Sequence, residues 1–269
     1  MVLQILVTSH RLISSDTFMS KRELFYHRSG SIFPSQRAVD QALERVACYL
    51  NVPRRCLHIL NSPKGLFAGE MEIVCRGANQ KLTGGTIPEY EDIITLNLKP
   101  TTPIVLVEKH ASFLSLSQQL DLTSMVLITG RGYPDISTRR FLNEISKSHP
   151  RIYAIADYDP YGLDIIRTYR HGSGDQEKGR YLSCKSLNWI GLKARDVIAK
   201  RDEGEVMRLS ARDRKKIRDM LQYTTDPDIR MELCKMAHLG YKGETEILTL
   251  DEQAQIINGS IQEYDHVND

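Results

Sequence analysis

The sequence predicts an α/β fold built on a parallel sheet, and three observations carry that reading. Three apolar runs, PIVLVE (103–108), SMVLITG (124–130) and RIYAIADYD (151–159), have the length and β-branched content of buried strands. Helical patterns of 10 to 15 residues separate them, as in successive βαβ units. Each run also ends on a polar group: Glu108, the Thr129-Gly130 turn, or the pair Asp157 and Asp159. Parallel sheets bind ligands outside the carboxyl ends of their strands, so these groups are expected to meet at one edge.

A chain of 269 residues holds one large domain or two small ones. With 41% hydrophobic and 26% charged residues it reads as globular rather than disordered. No apolar run approaches the roughly eighteen residues of a membrane span, so no membrane partner is expected. The start, MVLQILVTSH, lacks the basic region of a secretory signal. Five cysteines lie far apart without paired spacing, which points away from a zinc site or a disulfide framework and toward a reducing, intracellular compartment. The net charge of +2 conceals two basic segments. Residues 1–64 hold nine Lys/Arg against four Asp/Glu, and residues 193–218 hold ten against five. Such clusters suit a polyanion, and equally a solvated helix face.

Taken in order, QRAVDQALERVACYL after Ser35 reads as a helix. Ser35 is its N-cap, Val39, Ala42, Leu43, Val46, Ala47 and Leu50 share one face, and Pro53 stops it. CLHIL and LFAGEMEIVC then read as two strands joined by the turn NSPKG. Helices followed by a short hairpin in a basic segment predict a winged-helix unit over residues 1–97. GANQKLTGGTIPEYEDI serves as its wing or as a linker, and the sheet domain is expected over 98–269. The final residues, from HLGYKG onward, predict a short loop, a terminal helix and a frayed end.

At the carboxyl edge, Asp157 and Asp159 stand at i and i+2, on one side of an extended backbone. Close like charges repel unless a cation neutralises them. With Glu108 they supply three hard oxygen donors, a set suited to Mg²⁺, with Mn²⁺ as the alternative. Acidic residues at strand ends also serve as turn formers and caps. The turn TGRGYPD precedes a basic helix with Ser137 as the expected N-cap. Its glycines either admit a phosphate or meet backbone demands alone. It matches no nucleotide-binding fingerprint, so no nucleotide cofactor is expected. Among twelve tyrosines, Tyr26 lies in the basic stretch KRELFYHR with Arg22 one turn earlier. A cation beside a phenol helps it act as a nucleophile, though an i,i+4 Arg–Tyr pair is also ordinary helix surface.

RELFY, SPKGLFAG, VEKHASF, TGRGYPDISTRRFL, DYDPYGLDIIRTYRHGS and WIGL, in this order, cover most of the chain. Together they resemble the DNA-cleaving A-type chain of topoisomerase VI, and more closely its eukaryotic relatives, the meiotic double-strand-break transesterases. The resemblance implies a winged-helix (catabolite-activator-like) domain followed by a Toprim domain with a Rossmann-like sheet. It implies Tyr26 as nucleophile, Arg22 as its assistant, and Glu108, Asp157 and Asp159 as metal ligands. DNA contacts are expected at Lys64, Arg131, Arg139 and Arg140. The expected reaction leaves a 5′-phosphotyrosyl bond and initiates meiotic recombination on nuclear chromosomes, without ATPase activity in this chain. The expected partners are double-stranded DNA, a second copy at the cleavage site, a B-subunit-like protein and meiotic accessory proteins. The DNA-cleaving chain of an ATP-dependent type IIB topoisomerase and a hydrolytic Toprim nuclease are the alternative readings. In three respects the chain departs from the family: Glu23-Leu24 replaces Asp-Ile, HASFLSL matches more loosely than the VEK before it, and only 25 residues precede the tyrosine, so part of the first domain and a partner-binding surface are expected to be missing.

Overall fold

Capping chemistry and apolar stripes define the first helices. The computed structural model describes residues 1–28, 32–52, 54–60, 64–76, 81–172, 182–201 and 204–268. Helix α1 (Val2–Ser14) turns Ile5 and Leu12 inward, and α2 (Lys21–Arg28) anchors on Leu24, which is 2% exposed. Helix α3 (Gln36–Leu50) begins as its sequence requires, with Ser35 accepting a bond from the Ala38 N–H. Asn51, in the left-handed conformation, ends it. Pro53, the expected stop, lies outside the described residues. Val39, Ala42, Leu43, Val46 and Ala47 are buried as their spacing predicts. Leu50, the last helical residue, is instead 46% exposed.

The expected hairpin is corrected. Of CLHIL only Ile59–Leu60 is a strand, β2, and it pairs in parallel with β1 (Met19–Ser20). LFAGEMEIVC is strand β3 (Leu66–Cys75), which pairs antiparallel with β4 (Lys81–Thr86), β5 (Ile93–Asn97) and β7 (Val126–Thr129). The reason lies in burial. A two-stranded ribbon is marginal alone, whereas joining the main sheet covers Phe67, Met71 and Ile73. The glycine-rich stretch expected as wing or linker supplies β4 for the same sheet. Two compact units accordingly divide at Met1–Ser62 and Pro63–Asp269 rather than at residue 97.

In the second unit the strand order is β4-β3-β7-β6-β8-β9, with β5 also on β3. The three expected strands are β6 (Ile104–Val107), β7 and β8 (Ile152–Ile155), all parallel and buried on both faces. β9 (Leu187–Gly191) extends the parallel set. Helices α4 (His110–Gln119), α5 (Ile136–Ser146) and α6 (Pro160–His171) connect them. Successive side chains of a strand alternate in direction, so Val105 and Val107 meet Phe113 and Leu116 of α4 on one face. Ile104 and Leu106 meet Phe141 of α5 and Leu163 of α6 on the other. The remaining elements are α7 (Ala194–Ala199), β10 (Met207–Arg208), α8 (Ala211–Tyr223), α9 (Pro227–Leu239), β11 (Tyr241–Lys242) and α10 (Leu250–Asn268). Because β6 lies between β7 and β8, the connections from β6 to β7 and from β7 to β8 run in opposite directions across the sheet. The carboxyl end of β6 is therefore the topological switch point, where such sheets bind ligands.

Candidate active site

Glu108 follows β6, Thr129-Gly130 closes β7, and Asp157 and Asp159 follow β8, so the predicted groups lie at the carboxyl edge of the sheet. Backbone and side chain lock them together. The Thr129 hydroxyl and the Gly132 N–H both donate to the Glu108 carbonyl, at 3.2 and 3.0 Å. Glu108 Oε2 accepts the Asp157 N–H at 3.0 Å. Asp159 is the N-cap of α6, its Oδ1 accepting from the Tyr161 and Gly162 N–H groups at 2.9 and 2.6 Å. Gly162 permits this approach. A Cβ there would lie 2.3 Å from the Asp157 carbonyl oxygen and 3.1 Å from Glu108 Oε2.

Burial sets the electrostatics. Glu108 is pushed up to about 8, first by burial and then by the neighbouring charge of Asp157. Asp157 is raised by burial, against bonds from Thr245 and Lys109 that favour its charged form. Asp159 is raised for the same first reason, against the two helix N–H groups. Each carboxylate therefore gains from a cation. Glu108 Oε1 and Asp159 Oδ2 accept no hydrogen bond from the described residues, and hard oxygens of this kind fit Mg²⁺ with retained waters. Among the described residues no group of three His, Cys, Asp or Glu stands ready to hold a metal ion. The protein's own groups engage Asp157 on both oxygens: the Thr245 N–H donates to Oδ1 at 2.8 Å, and Lys109 Nζ lies 3.1 Å from Oδ2.

Several of these groups carried no assignment from sequence. Lys109 sits inside the VEK motif but took no role, and Glu244, Thr245 and Glu246 fell in a stretch read as loop. The bridge between Tyr158 and Gly243 carries that stretch to the edge. Asp135, not Ser137, caps α5: its Oδ1 accepts the Thr138 N–H at 2.9 Å. Its Oδ2 accepts the N–H groups of Lys64 and Gly65 at 3.1 and 3.2 Å, which ties those two residues to the glycine turn. Ser137 instead donates to Glu89.

Of the expected DNA contacts, Lys64 and Arg131 come together, Lys64 Nζ donating to the Arg131 carbonyl at 3.4 Å. Arg131 is exposed, and Arg140 lies over the Tyr90 ring at 4.9 Å. Arg139 is corrected. Only 5% exposed, it donates to the Leu182 carbonyl, so its guanidinium is committed to the core of the unit.

In the first unit, Tyr26 is 62% exposed on α2, and Arg22 is exposed on the same helix. The two departures in this motif have local explanations. Glu23 and Ser20 close a reciprocal capping box, with bonds of 2.7 and 3.1 Å, and Leu24 is the buried anchor. The helix carrying Tyr26 is thus pinned from inside while its phenol faces out.

A family model for the Toprim domain of the topoisomerase 6 A-subunit/Spo11 proteins matches residues 103–262. A second, described as type IIB DNA topoisomerase, matches residues 1–59. The chain is 29% identical over 264 residues to meiotic recombination protein SPO11 of Mus musculus and 30% identical over 265 residues to that of Homo sapiens. Each alignment covers 93% of this chain and 66% of the relative, so the chain spans about two thirds of their length. It is also 28% identical over 246 residues to rec12 of Schizosaccharomyces pombe, covering 89% of this chain and 70% of that one. With the Toprim match laid on the sheet and its carboxylate edge, the chain belongs to the topoisomerase 6 A-subunit/Spo11 family.

Proposed function

We propose that this chain breaks double-stranded DNA by transesterification and initiates meiotic recombination. The observation that carries the reading is a partly buried edge of three carboxylates in the second unit, together with an exposed tyrosine on a capped helix in the first. Tyr26 Oη attacks the phosphorus of a phosphodiester, and the bond to the 3′ oxygen breaks. The phenol proton leaves and the departing oxygen gains one, giving a 5′-phosphotyrosyl bond and a free 3′-OH. Arg22, one turn before Tyr26, supports the developing phenolate and phosphate charge. Glu108, Asp157 and Asp159 would hold Mg²⁺ or Mn²⁺, which when bound neutralises charge on the reacting phosphate. The helical first unit is read as the DNA-binding part of a winged-helix module, with Lys64, Arg131 and Arg140 of the second unit on the phosphate backbone. Double-stranded DNA, a second copy, and a B-subunit-like protein are the proposed partners, acting on chromosomes in the nucleus.

The test is to trap protein on cleaved duplex DNA under denaturing conditions and map the linked residue. Tyr26→Phe is expected to abolish 5′-linked adducts while leaving the circular dichroism spectrum and duplex affinity within about twofold of native, since an exposed hydroxyl contributes little to folding. Adducts persisting in Tyr26→Phe would transfer the role to another tyrosine. Cleavage without any adduct would favour a hydrolytic nuclease.

A further inference from the structure

We propose that Lys109 is a positioning residue acting as a built-in counter-cation: it holds Asp157 Oδ2, and yields that oxygen to an incoming divalent cation while Glu244 and Glu246 retain it. The inference rests on the reading of Glu108, Asp157 and Asp159 as metal ligands.

An ammonium group has three donors. Here three carboxylates surround it: Glu246 Oε2 at 2.6 Å, Glu244 Oε2 at 2.9 Å and Asp157 Oδ2 at 3.1 Å. The two shorter contacts go to glutamates about half exposed, and the longest goes to Asp157, whose side chain is 9% exposed. A buried carboxylate beside two others needs a positive partner, and Lys109 supplies it. A divalent cation at the same oxygen would repel the ammonium, so both cannot hold Asp157 Oδ2 at full strength.

The surroundings suit an exchange at this one oxygen. Asp157 Oδ1 is fixed by the Thr245 N–H, so the carboxylate keeps its orientation when Oδ2 changes partner. The segment bearing Glu244 and Glu246 is itself anchored. Gly243 pairs with Tyr158, and Gln253 donates to the Thr245 carbonyl at 3.0 Å. The released ammonium therefore keeps two acceptors already in place.

A staple with a purely structural role predicts the opposite response. Without Lys109 a staple fails, Asp157 loosens and cation binding weakens. Under the proposal, removing Lys109 removes a competitor and leaves carboxylates unneutralised, so binding tightens.

The experiment titrates Mn²⁺ into the full chain without DNA, at fixed ionic strength, following water-proton relaxation. Circular dichroism melts verify folding of each variant. Lys109→Met is expected to bind Mn²⁺ about tenfold more tightly than native protein, and the Glu244→Gln/Glu246→Gln pair about tenfold more weakly, because Lys109 then rests on Asp157 alone. Adding Lys109→Met to the pair should reduce the pair's effect to less than about threefold, since it acts through the lysine. Equal or weaker binding by folded Lys109→Met overturns the proposal, as does a pair effect unchanged in the Lys109→Met background. Where Lys109→Met does not fold, the pair at exposed positions decides: weaker binding supports the proposal, unchanged or tighter binding overturns it. Asp157→Asn and Asp159→Asn report separately on the metal reading. Native affinity in both would overturn that reading, and this inference with it.

Discussion

Asp164, one turn into α6, gathers donors from three elements onto one carboxylate. Its Oδ2 accepts from the Tyr133 hydroxyl of the glycine turn at 2.8 Å and from Lys216 of α8 at 2.7 Å. Its Oδ1 accepts from Arg167 at 2.8 Å, and the residue is only 6% exposed. Burial alone would raise its pKa, but the bonds from Lys216, Arg167 and Tyr133 prevail and hold it below the usual carboxylate value. Breaking one side of a buried ion pair typically costs about 3–5 kcal/mol. Asp164→Asn is therefore expected to destabilise the protein by an amount near that range at pH 7. The sign with pH follows from linkage. A depressed carboxylate contributes its stability above the unfolded value of 3.8 and loses it as pH falls through the lower folded value. The gap between native and Asp164→Asn melting temperatures should thus close below about pH 4. A gap constant down to pH 3 would show that the charge on Asp164 contributes nothing.

At the scale of elements, what the sequence made legible depended on how local the cause was. Strands β6, β7 and β8 were readable because burial on both faces demands continuous apolar runs, and their ends placed Glu108, Asp157 and Asp159 directly. Strand β3 was read correctly as a strand but given the wrong partner, because β7 lies far along the chain and a hairpin with the preceding CLHIL is the nearest pairing a local reading can offer. The role of Lys109 was hidden for the same reason: Glu244 and Glu246 reach it only once Gly243 pairs with Tyr158. The α6 N-terminus makes the dependence testable. Its first turn touches the Asp157 carbonyl and the Glu108 carboxylate because Gly162 has no side chain. Gly162→Ala would place a Cβ 2.3 Å from backbone, so the helix start must shift. Overpacking of this kind costs about 1–3 kcal/mol. The variant should melt at lower temperature and bind Mn²⁺ less tightly, because Asp159 moves with the turn it caps. Native-like melting and Mn²⁺ affinity would show that the close approach is not required.

For the molecule as a whole, the division at residues 62 and 63 puts the proposed nucleophile in one unit and the proposed metal ligands in the other. On that proposal neither unit alone would carry a complete site. A duplex presents two strands related by local two-fold symmetry, and a two-fold dimer offers one tyrosine to each. We therefore expect Tyr26 of one copy to complete the carboxylate edge of the other, an arrangement that leaves a lone copy unable to nick DNA. Complementation distinguishes this from a site built within one chain. Tyr26→Phe lacks the nucleophile, and Asp159→Asn lacks one ligand, so each should be inert alone. In a mixed dimer, the intact tyrosine of the Asp159→Asn copy meets the intact carboxylates of the Tyr26→Phe copy. One competent site forms and the other carries both defects. Mixing the two should restore cleavage of one strand, seen as nicked circular DNA, with no linear product. The nicks should carry a covalent link to the Asp159→Asn chain alone, identified by a size tag on that chain. If the mixture stays inert while mixed dimers are demonstrably present on DNA, each copy must use its own tyrosine, and the two units must close on each other within one chain.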